Sequence, residues 1–239
     1  MGAGEGSGEA QATRRGRKRK GEVQRVAADL FHQQGYDGTS VEDIAQALGI
    51  LKGSLYYYIS SKEDLLFRIV AEVHEDVQGI LDRSLGHTEL PPLERIALYV
   101  REQAIYNLGN VTRITVYYRE MDQLGEDRRG AIRAQRRKQH QAVAAVLSEA
   151  QAAGEVDASV DVSLATHCMF ATVNWIYNWW RVGSGVSEEA AADSCVRFVL
   201  GGVPGFGATP ATAGSGAAVL PLALDRPVGL GDLDEDAVG

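Results

Sequence analysis

Apolar positions along this chain recur at three- and four-residue steps and almost nowhere alternate. Val23, Val26, Ala27, Leu30 and Phe31 predict a first helix from about Lys18, closed by Gly35. Thr39-Ser40-Val41-Glu42-Asp43 is a Ser/Thr cap with an acid three residues after Ser40, and it opens a short second helix through Ile44, Ala45 and Leu48 that stops at Gly49. Residues 52–59 have room for two more turns. Ser61-Lys62-Glu63-Asp64 reads as another capping box, launching a longer helix through Leu65, Ile69, Val73 and Val77 to Ile80 or Leu81. The same period continues from Pro91 to a Gly109-Asn110 break, then over about 111–122, 126–153, 161–182 and 187–201. Only Arg113 to Tyr118, rich in β-branched and aromatic residues, invites a strand reading; a lone strand would have no partner, so it is read as helix.

The expectation is an all-α fold with a small N-terminal helical domain (18–62) and a larger C-terminal one (63–203). Residues 1–17 are expected to form a disordered basic arm, and 204–239, which lose all apolar period, a disordered tail. The longest apolar stretch, near 164–180, is interrupted by His167, Asn174 and Asn178 and reads as a buried helix, not a membrane span. Cys168 and Cys195 are expected to be small buried residues, and with no targeting segment in view the chain reads as cytoplasmic.

Charge changes the picture. The 239 residues carry a net −8, which argues against a polyanionic partner until its distribution is read. Between Thr13 and Arg25 stand seven bases and one acid, whereas the stretch after Pro204 holds five acids and one base. A chain biased in this way can bind phosphate at one end while its average stays acidic.

No catalytic constellation competes. The five histidines, His32, His74, His87, His140 and His167, are scattered. No paired His/Cys spacing indicates a metal, and neither Gly-x-Ser-x-Gly nor a phosphate loop occurs, so neither an enzyme nor a cofactor is expected. His167 reads as a core or pocket residue.

The helix pair at 41–48 and 52–58, joined by Gly49-Ile50-Leu51, matches a helix-turn-helix, whose second helix enters the major groove of DNA. Taken with the preceding AADLFHQQGYDGTS, the stretch TSVEDIAQALGILKGSLYYYISSKEDLL resembles the DNA-binding domain of TetR-family transcriptional repressors over about Val23 to Leu66. The resemblance implies an all-helical homodimer, a ligand pocket in the C-terminal domain, and release from a palindromic double-stranded operator when a small hydrophobic effector binds. It implies base-facing positions for Lys52, Gly53 and Tyr58, and phosphate-facing ones for Thr39, Ser40, Ser54, Tyr56, Tyr57 and Lys62. Helical geometry agrees in part: with Leu55 and Ile59 inward, Tyr57, Gly53 and Ser54 lie opposite, and Tyr56 and Tyr58 flank them. The plainer alternative is that the tyrosines only cover the small domain's core. Two departures stand out: Leu51 where relatives carry a capping side chain, and Ile59 where they carry phenylalanine. The run RRGRKRK, with Arg17 and Arg19, either follows a minor groove or adds only nonspecific attraction.

In the C-terminal domain, residues 161–183 crowd Phe170, Trp175, Tyr177, Trp179 and Trp180 into one predicted helix. In the family the last two long helices form a four-helix dimer interface, which fits Trp179 and Trp180; core packing is the competing role. Arg101-Glu102, Arg113, Tyr117-Tyr118-Arg119 and NWIYNWW resemble the branch that answers to acyl-CoA thioesters. That likeness makes Arg113, Tyr117, Phe170, Asn174, Trp175 and Tyr177 candidate ligand contacts, with Arg113 and Arg119 offsetting nucleotide phosphates. Arg128, Arg129, Arg133, Arg136, Arg137 and Lys138 read instead as a solvated helix face. An efflux-type drug sensor and a ligand-independent DNA-binding protein are the alternatives within this fold.

Overall fold

The computed structural model describes the backbone of residues 5–183 and 185–201, and side chains from Lys18 onward. Among these residues there are ten α-helices and no strand: α1 (Glu5–Gln34), α2 (Val41–Ala47), α3 (Lys52–Leu55), α4 (Lys62–Leu85), α5 (Pro92–Gly109), α6 (Val111–Glu120), α7 (Glu126–Ala152), α8 (Val162–Asn174), α9 (Ile176–Trp179) and α10 (Glu188–Gly201). A 3₁₀ turn, Met121–Gln123, follows α6. The 113–118 segment is helical. No helix among the described residues is long and apolar enough to cross a membrane. The expected tail lies outside the described residues.

Local chemistry explains the short N-terminal helices. Ser40 Oγ accepts from Asp43 N at 3.1 Å while Asp43 Oδ2 accepts from Ser40 N at 2.7 Å, the reciprocal box that starts α2. These bonds hold the Asp43 carboxyl below its ordinary range. The second expected box is only half formed: Ser61 Oγ accepts from Asp64 N at 2.9 Å, but Asp64 reaches back to Ser60 N at 3.4 Å. Gly35 and Gly49 adopt φ of 78° and 64°, the left-handed geometry that lets the chain leave α1 and α2 without a side-chain penalty.

Three boundaries differ from the sequence reading. Helix α1 starts at Glu5, so residues 5–17, expected as a disordered arm, continue the helix. Helix α3 is only four residues long, and its continuation is tightened by Tyr57 N to Ser54 O and Tyr58 N to Leu55 O bonds of 3.3 and 2.8 Å. The aromatic helix expected over 161–182 breaks at Trp175 and resumes for one turn as α9. No glycine or proline lies there, so tertiary packing sets the break: the Tyr177 ring stacks on Tyr118 of α6, centroids 5.3 Å apart and planes 8° off parallel.

Two apolar cores form. One joins Phe31 and Ala27 of α1, Ile44 and Ala45 of α2, Leu55, Ile59 and the first half of α4 (Leu65 to Val73) with Ile114, Val116 and Tyr117 of α6. The other gathers α5, α7, α8, α9 and α10 around Tyr99 and takes in Ile80, Leu81 and Leu85 from the end of α4. At 1.5 Å per residue α4 is about 36 Å long, a rod common to both cores. The cores therefore divide within α4, not at residues 62/63. Cys195 is buried as expected, whereas Cys168 is exposed, because its place on α8 faces away from the core.

Candidate DNA-reading face and effector cavity

Helices α2 and α3 pack through Ile44, Ala45, Leu55 and Ile59, each at most 4% exposed, which turns the other side of α3 outward. Tyr57 is 84% exposed and Tyr56 49%; Tyr58 is half-buried, edge-on to Tyr57 with centroids 5.2 Å apart. Lys52, Gly53 and Ser54 are exposed on this face, and Lys52 Nζ lies 3.6 Å from Glu42 Oε2. A Cβ added at Gly53 would meet nothing within 4 Å, so nothing inside the chain demands glycine there. Glycine weakens a helix, and no contact within the described residues offsets that cost here. Leu51, 79% exposed, supplies no side-chain cap to α3.

Two phosphate-facing assignments are corrected. Thr39 is buried at 1% exposure and its hydroxyl donates to Gly35 O at 2.8 Å, so it closes the α1–α2 turn. Lys62 donates to Tyr36 O and Thr39 O at 2.8 and 3.0 Å and lies over the Tyr36 ring; two of its three donors hold the loop before α2. Ser40 is exposed but already caps α2. Arg19 pairs with Glu22 on its own helix at 2.7 Å. The Arg17 side chain lies outside the described residues.

In the C-terminal half, a small cavity of about 30 Å³ lies between α4, α5, α6, α7 and α8. Tyr117, Phe170 and Asn174 line it. Arg113 does not: it pairs with Glu72 and Asp76 of α4 at 3.2 and 3.4 Å and faces a separate outer groove. Arg119 is exposed and borders neither space. Trp175 is 60% exposed, and Tyr177 touches the site only through its stack on Tyr118. Trp180, at 6% exposure, belongs to its own chain's core and is not free for a partner; Trp179 is 49% exposed.

The sequence reading missed the cavity's polar lining of His74, Gln103, Asn107, Gln139 and His140, and the groove that adjoins it. That groove, about 490 Å³ between α7 and α8, is lined by Arg133, Arg136, Arg137, His140 and His167, and it shares Arg136 and His140 with the cavity. Of the residues assigned to a solvated face, Arg133, Arg136 and Arg137 line this groove, with Arg133 and Arg137 still exposed. Their spacing was a usable signal: 133, 136, 137, 140 and 144 fall on one helical stripe. Among the described residues neither Arg136 nor Arg137 has a carboxylate within salt-bridge distance, whereas Arg133 lies 3.8 Å from Asp122. His140 stacks on Phe170 (centroids 4.0 Å apart, 16° between planes) and abuts His167, whose Nδ1–H donates to Ser163 O at 2.7 Å. Burial first, then the His167 and Arg136 charges, lowers the His140 pKa; burial and Arg136 likewise lower that of His74. Both rings are thereby favoured as neutral hydrogen-bonding groups.

Comparison with known proteins decides the family. The tetR-family profile of bacterial regulatory proteins matches residues 25–69, and the tetracyclin repressor-like C-terminal domain matches residues 89–203. The chain belongs to the TetR family of transcriptional regulators. The first match takes in the end of α1, α2, α3 and the start of α4, and the second takes in α5 to α10. The transcriptional repressor KstR2 of Mycobacterium tuberculosis is 29% identical over 194 residues, which cover 77% of this chain and 92% of that one. The solved structure of this KstR2, a ketosteroid transcriptional regulator, superposes with a TM-score of 0.73 at 25% identity, covering 77% of this chain and 94% of that one. The TetR-family regulator PfmR of Thermus thermophilus gives 0.69 at 28% identity, covering 74% and 96%. AibR, solved with isovaleryl coenzyme A and operator DNA, gives 0.68 at 25% identity, covering 75% and 97%.

Proposed function

We propose that this chain is a homodimeric repressor that holds a palindromic operator through α2 and α3 and lets go when an acyl-CoA thioester binds its C-terminal half. The carrying observation is that an arginine-walled groove opens beside a buried cavity, the two sharing Arg136 and His140. Guanidinium groups without carboxylate partners suit the phosphates of a nucleotide, and the acyl group enters the adjoining cavity by widening it, since about 30 Å³ holds no more than a water. The AibR complex with isovaleryl coenzyme A supports the same ligand class.

The route from ligand to DNA has a physical basis in α6. Ile114, Tyr117 and Tyr118 of that helix line the cavity, and α6 also packs against α1. A ligand that enlarges a cavity of about 30 Å³ must displace its walls, and close-packed cores pass such displacement on. Dimerisation is supported by an exposed apolar surface along α8 and α10, where Leu164 is 62% and Phe198 71% exposed beside a groove of about 700 Å³.

The test is a gel-retardation assay with a palindrome from the protein's own promoter region, run with coenzyme A, free fatty acids and a panel of acyl-CoA thioesters. Retardation that a thioester reverses, and that coenzyme A and fatty acid leave intact, is the expected result. A protein that never retards the palindrome, or stays bound whatever thioester is added, would refute the reading.

A further inference from the structure

Gln103 of α5 lines the cavity and is 2% exposed. Its Nε2 donates to Asn107 Oδ1 at 2.8 Å, and Asn107 Nδ2 donates to Val173 O at 3.0 Å. The backbone carbonyl only accepts, which fixes the orientation of the Asn107 amide and, through it, that of Gln103. The Gln103 carbonyl oxygen is consequently left without a hydrogen-bond partner in the protein. The other buried amide nearby is served differently: Gln139 Nε2 donates to Gln78 Oε1 at 3.2 Å and faces His74 Nε2 at 3.4 Å. A residue that lines the cavity thus carries one oriented, buried and unpaired acceptor, at the end of an amide relay anchored on the main chain of α8.

We propose that the effector offers a hydrogen-bond donor to Gln103 Oε1, so that the preferred ligands are hydroxylated acyl thioesters and not saturated alkyl ones. A methylene pressed against this oxygen excludes water and returns nothing, whereas a hydroxyl restores the missing bond. Sites built around a buried hydrogen bond discriminate strongly against analogues that lack it. This inference rests on the cavity being the effector site and adds the chemistry of the group that enters it.

The experiment is calorimetric titration of the full chain with hexanoyl-, 3-hydroxyhexanoyl-, 6-hydroxyhexanoyl- and 6-methoxyhexanoyl-CoA. At least one hydroxylated thioester should bind about tenfold or more tighter than hexanoyl-CoA. The methoxy compound, which keeps the oxygen and lacks the donor, should gain nothing. Gln103→Met, similar in volume and without the acceptor, should bring the hydroxylated and plain ligands within about threefold of each other. If the variant does not fold, the methoxy comparison on the unaltered protein still decides. Hexanoyl-CoA binding as tightly as both hydroxylated forms, methoxy matching hydroxy, or undiminished discrimination in Gln103→Met would each overturn the proposal and leave the acyl-CoA reading standing. If no thioester binds at all, both fall.

Discussion

The Lys62 ammonium sits 4.0 Å from the centroid of the Tyr36 ring while donating to the carbonyls of Tyr36 and Thr39, so the first residue of α4 clamps the loop that leads into α2. Cation–π attraction and two charge-assisted bonds act together on one short segment. Lys62→Met should therefore destabilise the protein by about 2 kcal/mol in urea denaturation. The salt dependence of DNA binding should keep its slope, because loss of a phosphate contact would lower that slope by about one. Unchanged stability with a shallower slope would return Lys62 to the DNA backbone.

Tyr57 projects beyond α3 with 84% of its surface open and, among the described residues, no partner for its hydroxyl. A phenol so exposed is suited to donate to a phosphate oxygen, a contact that positions and does not read sequence. Tyr57→Phe should weaken binding several-fold and by the same factor across operator variants, with the melting temperature unmoved. A factor that differs from one operator variant to the next would mean that Tyr57 reads bases.

Exposed apolar residues on α8 and α10 set up a test of assembly. Phe198→Glu introduces a charge on a surface that a second copy would bury. Sedimentation should show a dimer for the unaltered protein and a monomer for the variant, which should also lose operator binding. A monomeric parent protein would remove the dimer from the proposal.

Arg136 and Arg137 provide the electrostatic test of the effector groove. Replacing both by Gln should raise the acyl-CoA concentration needed for DNA release about tenfold or more, since each charge-assisted bond contributes on the order of 1.5 kcal/mol or more. Affinity for the operator without ligand should stay within about twofold. An unchanged release curve would exclude this groove as the phosphate site.

His74 ties stability to pH. Burial and the Arg136 charge lower its pKa from the ordinary 6.5, so the unfolded chain takes up a proton that the folded one refuses. Stability is then complete above about pH 6.5 and declines as pH falls below it, a window clear of the carboxylates. Thermal melts from pH 7.5 to 5.5 should show the decline, and His74→Gln should flatten it. His140, shifted the same way, will leave a remainder.

Sequence by itself determined most of the helices and which side of α3 faces outward, because both are short-range matters. Ser40 and Asp43 cap α2 within one turn, Gly35 and Gly49 end their helices through their own backbone freedom, and Leu55 fixes which side of α3 is buried. It did not decide what a polar side chain does once the chain has folded. Thr39 and Lys62 have the chemistry of phosphate ligands, but tertiary structure turns both onto carbonyls of the α1–α2 loop. Arg113 has the chemistry of a nucleotide ligand, yet α4 brings Glu72 and Asp76 against it, while among the described residues Arg136 and Arg137 meet no acid and line the groove beside the cavity. The cavity belongs wholly to the tertiary level, since five helices build it from residues up to a hundred positions apart. Helical period and capping depend on neighbours three or four residues away and can be read from the chain; the partner of a charge depends on which helix packs against it.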